Sequence, residues 1–162
     1  MSDTIKITKS DLDEKNCYIG KADVSETTSE IEIDANLGTV YFRGRIKTTR
    51  SILALSGSGI SAWWGISAGG GISAGSGISA GWGISAGLTI IAKYISSKLR
   101  IFAGICRWRI PEDSETEIRA EKVEGKVCFG KVVIVEPSAR EADAALVAAP
   151  CVHGAGRQSG QR

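Results

Sequence analysis

Gly59-Ile60-Ser61-Ala62-Trp63-Trp64-Gly65-Ile66-Ser67-Ala68-Gly69-Gly70-Gly71-Ile72-Ser73-Ala74-Gly75-Ser76-Gly77-Ile78-Ser79-Ala80-Gly81-Trp82-Gly83-Ile84-Ser85-Ala86 carries five copies of Ile-Ser-Ala at a constant step of six residues. A short fixed period means that one small unit is stacked on itself, the signature of a solenoid. The period selects strands. Side chains alternate along a strand with period two, so residues six apart share a face and every repeat isoleucine can point inward. In a helix, six residues turn the chain by about 600°, which scatters the isoleucines over three faces. Composition agrees, because each of Gly57, Gly59, Gly65, Gly69, Gly70, Gly71, Gly75, Gly77, Gly81, Gly83 and Gly87 would cost a helix interior about 1 kcal/mol relative to alanine. The expected arrangement puts Ile60, Ile66, Ile72, Ile78, Ile84 and Ile90 in the core with the alanines, the serines outside, and glycine links turning corners at positive φ.

Working outward, Val40, Ile46 and Ile52 keep the step of six before a two-residue insertion around Ser56-Gly57 resets the phase. Downstream, Ile90-Ile91-Ala92 continues the motif, a five-residue step reaches Ile95, and Ile101-Phe102-Ala103 follows. These hexads predict an all-β, single-domain, three-sided β-solenoid built on hexapeptide repeats over 40–110. Three hexads per coil would stack each residue on its counterpart three hexads later, Trp64 over Trp82, Gly70 over Leu88 and Ser76 over Tyr94, whereas a two-sided solenoid would place Trp64 over Ser76.

The flanks read differently. Residues 1–39 form an acidic N-terminal segment in which Ile5-Lys6-Ile7 and Ile31-Glu32-Ile33-Asp34 alternate as short strands, expected to cap the first coil. Residues 111–135 open with a loop at Pro111 and resume alternation at Ile118, Val123, Val127, Phe129 and Val133, with bends at Gly125 and Gly130. They form a last coil or a hairpin. In the tail, 136–162, a weak helix is expected over Ser138 to Ala149 and disorder from Gly154 onward.

A formal net charge of +2 conceals strong segregation. Residues 40–110 hold nine bases and no acid, while 1–39 hold nine acids against four bases. Within the basic block, Arg43, Arg45, Lys47 and Arg50 precede the glycine repeats and Lys93, Lys98, Arg100, Arg107 and Arg109 follow them. Nothing between Ser51 and Ala92 is charged. The two clusters are candidates for a nucleic-acid surface, and the bland alternative is a set of solvated faces balanced by acidic flanks folding near them. The uncharged stretch is nearly half serine and glycine with no continuous apolar run, so no membrane span is expected. The polar start, Met1-Ser2-Asp3-Thr4, has no secretory pattern, and a cytoplasmic location is expected.

Few residues here suit catalysis. His153 is the single histidine and falls in the tail. Cys17, Cys106, Cys128 and Cys151 lack paired spacing, so neither metal nor disulfide is expected, and Cys106 and Cys128 are read as small packed apolar residues. No cofactor is implied. Trp63, Trp64 and Trp82 sit in the links, with Tyr94 and Trp108 further on; a core of Ile and Ala leaves at least some rings for the surface as protein-contact candidates, the alternative being that the link rings fold over a corner and cover the glycine backbone.

The period of six resembles the hexapeptide-repeat acyltransferases, which implies a histidine base between left-handed coils. The order differs, since that family sets a small inward residue at plus four, where Trp64, Gly70, Ser76, Trp82 and Leu88 stand here. The hexad run from Val40 to Cys106 resembles the bactofilins, which implies end-to-end polymerisation without nucleotide. It is similar also to small uncharacterised phage and prophage proteins with tandem Gly-x-Gly-Ile-x-Ala units. Here Leu37-Gly38-Thr39-Val40, Ile46-Lys47-Thr48 and Leu99-Arg100-Ile101-Phe102-Ala103-Gly104 look like their flanking sequences. That likeness implies a phage-encoded protein that binds and inhibits a host defence or housekeeping protein. The residues together predict a non-enzymatic interaction protein that self-associates or docks a protein partner, with nucleic-acid binding as the alternative and acyl transfer as a remote one.

Overall fold

The computed structural model describes residues 3–136; the tail features read above, including His153 and Cys151, lie outside the described residues. Fifteen strands follow one another: β1 (Thr4–Ile7), β2 (Glu30–Ile33), β3 (Gly38–Phe42), β4 (Ile46–Thr48), β5 (Ile52–Ala54), β6 (Ser58–Ala62), β7 (Ile66–Ala68), β8 (Ile72–Ala74), β9 (Gly77–Ala80), β10 (Gly83–Ala86), β11 (Ile90–Ile91), β12 (Tyr94–Phe102), β13 (Glu117–Ala120), β14 (Lys122–Phe129) and β15 (Lys131–Ile134). Two short 3-10 turns, Lys9–Asp11 and Asp113–Thr116, interrupt them, and no helix among the described residues is long and apolar enough to cross a membrane.

Every pairing between these strands is parallel. One sheet runs β1-β2-β5-β8-β11-β13-β15, and the other runs β3-β6-β9-β12-β10-β7-β4, with β14 beside β12. Neighbours in each sheet are not neighbours in sequence. The chain leaves each row and returns to it one layer on, which gives curled parallel sheets compatible with a β-solenoid. Across the central strands the register keeps a constant offset. Ile60 pairs with Ile78, Ile66 with Ile84 and Ile72 with Ile90, each partner lying three hexads further along the chain.

Departures from that spacing have visible causes. Val40 pairs with Ile60, overshooting three hexads by the length of the insertion at Ser56-Gly57, which is taken up in a corner where Gly57 has φ 76°. The buried Ser58 there donates to the Asp34 carbonyl and accepts from the Leu37 N–H, so the bulge leaves no orphan hydroxyl. Ile78 pairs with Ile95, one position short of three hexads, reflecting the shortened step before Ile95. Of the expected stacks, the Trp82 N–H donates to the Trp64 carbonyl at 2.7 Å and that of Leu88 to Gly70 at 3.1 Å. The third is off by one: Lys93, not Tyr94, donates to the Ser76 carbonyl, since the short step shifts the phase.

Isoleucines of the repeat are at most 1% exposed and the alanines join them inside, while Ser61, Ser67, Ser73, Ser79 and Ser85 stand half-buried on the outer faces. Full burial of each isoleucine contributes about 1.5–3 kcal/mol. The N-terminal segment adds Leu12 and Val24 to this core, and the Tyr18 ring packs on Phe42 with centroids 5.4 Å apart. At the other end β13 and β15 pair in parallel, as a continuing coil does and a hairpin does not.

Two expectations are corrected. Of the link glycines named above, Gly57 alone has positive φ, so the corners do not select glycine by backbone conformation. They select it by crowding: a Cβ at Gly69, Gly81 or Gly87 would collide with the carbonyl of Thr49, Trp63 or Gly69 in the adjacent layer. Cys128 is exposed and Cys106 half-buried, not packed in the core, because β14 is the last strand of its row among the described residues and Cys106 follows β12 in a loop.

Candidate docking site at the tryptophan corner

Gly69, Gly81 and Gly87 open their links against the carbonyls of the layer beneath, whereas Trp64 and Trp82, second in theirs, project outward. In the corner leading into β4, β7, β10 and the second half of β12, successive layers present Arg43-Gly44, Trp63-Trp64, Gly81-Trp82 and Lys98-Leu99, as the backbone bonds from Trp64 to Gly44, Trp82 to Trp64 and Leu99 to Trp82 establish. Trp64 and Trp82 stack, with centroids 5.2 Å apart and planes 15° from parallel. They remain 53% and 58% exposed, and Trp63 beside them is 71% exposed. The rings are therefore surface groups. Their mutual stacking contributes about 0.5–1.5 kcal/mol beyond area burial.

Alongside the stack runs a trough of about 400 Å³, bounded by Trp64 and Trp82, floored by Gly65, Gly83, Ser67 and Ser85, and closed by Lys47 and Phe102. Its shape follows from residue size at equivalent positions. The outward residues in successive layers are Lys47, Ser67, Ser85 and Phe102, and the strand-entry residues are Arg45, Gly65, Gly83 and Arg100. Large groups at both ends and small ones between leave a depression two layers wide. Exposed apolar surface of this shape beside polar groups is typical of binding sites.

The charges at its ends differ. Glu26 salt-bridges both Arg45 and Lys47, and the Lys47 hydrogen bond, followed by the two positive charges, holds the Glu26 carboxyl below its ordinary range. Arg43 reaches Asp13, whose carboxyl is lowered mainly by the Cys17 N–H. At the opposite end no described acid pairs with Lys98 or Arg100. Among the described residues, five cations thus surround the corner against three carboxylates, Asp13, Glu26 and Asp23, which acts on Arg45.

The structure gathers part of the predicted set and scatters the rest. Trp63, Trp64 and Trp82 meet at one corner with Arg43, Arg45, Lys47, Lys98 and Arg100 around them. Tyr94 lies elsewhere, donating to Glu124 at 2.6 Å with the Lys122 ammonium 5.8 Å from its ring. Trp108 leans on Gly69 at another corner and shares a shallow depression with Arg50 and Glu30. Lys93 lines a separate hollow with Arg119 and Glu121. Arg107 is exposed in the loop after β12, while Arg109 grips Glu115 through both carboxylate oxygens and holds that carboxyl down to about 2. Gly65 and Gly83 are expected from the sequence only as corner glycines and Ser67 and Ser85 only as outward serines, while Phe102 and Glu26 carry no expectation of a site. The large-small-small-large series at the outward hexad position is the signal that would have found the trough.

Among the described residues no three of His, Cys, Asp and Glu cluster as metal ligands. No family model, no curated protein and no solved structure matches the chain.

Proposed function

We propose that this chain is a three-sided β-solenoid on hexapeptide repeats that acts by binding, docking a protein partner through the tryptophan corner. The three-hexad pairings and the two arms of the second sheet, meeting at β12, support three sides. The observation that carries the binding reading is the Trp64–Trp82 stack, more than half exposed beside a trough of small residues. A chain that needed these rings only for stability would cover them. Tryptophan and arginine around a desolvable pocket are the composition that interface hot spots favour.

Affinity capture from host extract, with and without nuclease, tests this directly. Nuclease-resistant partners lost in the Trp64→Ala/Trp82→Ala variant and kept in Ser73→Ala are expected. Capture indifferent to the tryptophans sinks the reading. Sedimentation at rising concentration tells a second copy from a foreign partner.

Nucleic-acid binding is the second reading, favoured by one feature of the fold. The basic clusters, separated by an uncharged stretch in sequence, lie only three layers apart at this corner, about 14 Å. Glu26 and Asp13 among the cations weigh against a phosphate track. Nuclease-sensitive capture whose loss with salt follows the number of phosphates neutralised would favour it.

A further inference from the structure

We infer that the trough selects an extended partner segment with an acidic residue, an apolar residue two positions on, and a second acidic residue two positions beyond that. The inference rests on the docking reading above and specifies its partner. Its starting point is the spacing of the two cationic ends. Arg45 and Lys47 stand in the layer of Ile46, and Arg100 and Phe102 in that of Ile101. The registers Ile46 to Ile66, Ile66 to Ile84 and Ile84 to Ile101 make three layer steps between them, about 14 Å at ~4.8 Å per layer. An extended peptide advances ~3.4 Å per residue and shows alternate side chains on one face, so residues i, i+2 and i+4 span the same ~14 Å. The centre of that span falls on the two layers of Gly65, Gly83, Ser67 and Ser85, which line the trough together with the two tryptophans.

Charge chooses the flanking residues. The lining contains Arg45 and Lys47 and no acid. Glu26 is shared by Arg45 and Lys47 at one end, where Asp23 also acts on Arg45, and Arg100 at the other end has no described acid as partner. A carboxylate at each end would meet an exposed cation, the stronger demand being at Arg100, and complementary charge sets register and suppresses wrong partners. The ring geometry favours a peptide over stacked bases. Trp64 and Trp82 already cover one another's facing surfaces at 5.2 Å, which closes the gap between them to a base. Single-strand binders instead leave aromatic faces open for successive bases.

The test uses the intact chain and fluorescein-labelled Ser/Gly peptides carrying Glu-Ser-Trp-Ser-Glu, Lys-Ser-Trp-Ser-Lys or Ser-Ser-Trp-Glu-Glu, with a short oligothymidylate as a fourth probe, read by fluorescence polarisation. The doubly flanked acidic peptide is expected to bind at least about tenfold more tightly than either other peptide, a difference of one decade in Kd. Ser85→Trp, which fills the trough, and Arg100→Glu should each abolish that preference, with circular dichroism confirming that both variants fold. Equal binding of the three peptides, or no binding of any, overturns the inference. Stronger binding of the oligothymidylate overturns it in favour of nucleic acid. Should the peptides fail while host partners are still lost in Trp64→Ala/Trp82→Ala, the docking reading stands and only the partner chemistry assigned here falls.

Discussion

Two corners of this molecule share a backbone and differ in what they display. At one, Gly69-Gly70-Gly71 lies over Thr49-Arg50-Ser51 and under Gly87-Leu88-Thr89; at the other, Trp63-Trp64-Gly65 lies under Gly81-Trp82-Gly83. At Gly69, Gly81 and Gly87 the first link position is glycine, because a Cβ there would meet the carbonyl of the layer below. The second position splits. It holds Gly70 and Leu88 at one corner and Trp64 and Trp82 at the other. The stacking of layers demands glycine at Gly69, Gly81 and Gly87 and crowds Gly70 against Ser51, while Trp64 and Trp82 at the second position of the other corner carry surface chemistry.

The largest effect expected removes both corners together. Ile72→Asp places an unpaired carboxylate at a position 1% exposed and in register with Ile52 and Ile90, which should cost about 4–5 kcal/mol or unfold the chain. A native-like melting curve would contradict the inward stack. Gly87→Val tests the first position alone. Steric overlap with the Gly69 carbonyl should cost about 3 kcal/mol by denaturant titration, and a change below about 1 kcal/mol would show that the layers can part. Trp82→Ala tests the second position. It should cost about 1 kcal/mol, the loss of one aromatic pair, while removing partner capture.

The smallest effect concerns the cations beside the tryptophans. Glu26 is held below its ordinary value of 4.5 first by the Lys47 hydrogen bond and then by the Lys47 and Arg45 charges. A lowered carboxyl stabilises the fold above its unfolded value, and that contribution disappears as pH falls through the lowered one. Carboxyl-carbon NMR should therefore show Glu26 titrating below 4.5, and lysine resonances should report release of Lys47 over the same range. In Lys47→Ala the titration should move up toward the ordinary value. Titration at or above that value in the unaltered chain would remove the salt bridge from the account of the trough.

Much of the fold is legible along the chain because the repeat is local. Ile60, Ile66, Ile72 and Ile78 are buried, as alternation requires. The step of six, its insertion and its deletion reappear as pairings of Ile60 with Ile78, Val40 with Ile60, and Ile78 with Ile95. The role of the glycines escapes such a reading for a physical reason. Positive φ is a property of one residue, whereas crowding at Gly81 depends on Trp63 in another layer, which no local pattern reveals. The exposure of Cys128 escapes it similarly, since it depends on β14 having no further strand beyond it among the described residues. Trp63, Trp64 and Trp82 are legible as link residues, but the choice between exposed rings and rings laid over the glycine corners, and their grouping apart from Trp108 and Tyr94, are not.

By itself the sequence determined the stack of strands, its inward isoleucines and alanines, and the segregation of charge, because each depends on periodicity or composition alone. Tertiary structure decided which of those features become neighbours. Arg45 and Arg100 stand on opposite sides of the uncharged repeats and read along the chain as members of two separate clusters. Coiling compresses that gap to the two layers between them, about 5 Å each. Distance along a solenoid's axis is set by the number of coils and not the number of residues, and so the cations come to bracket one tryptophan-walled trough.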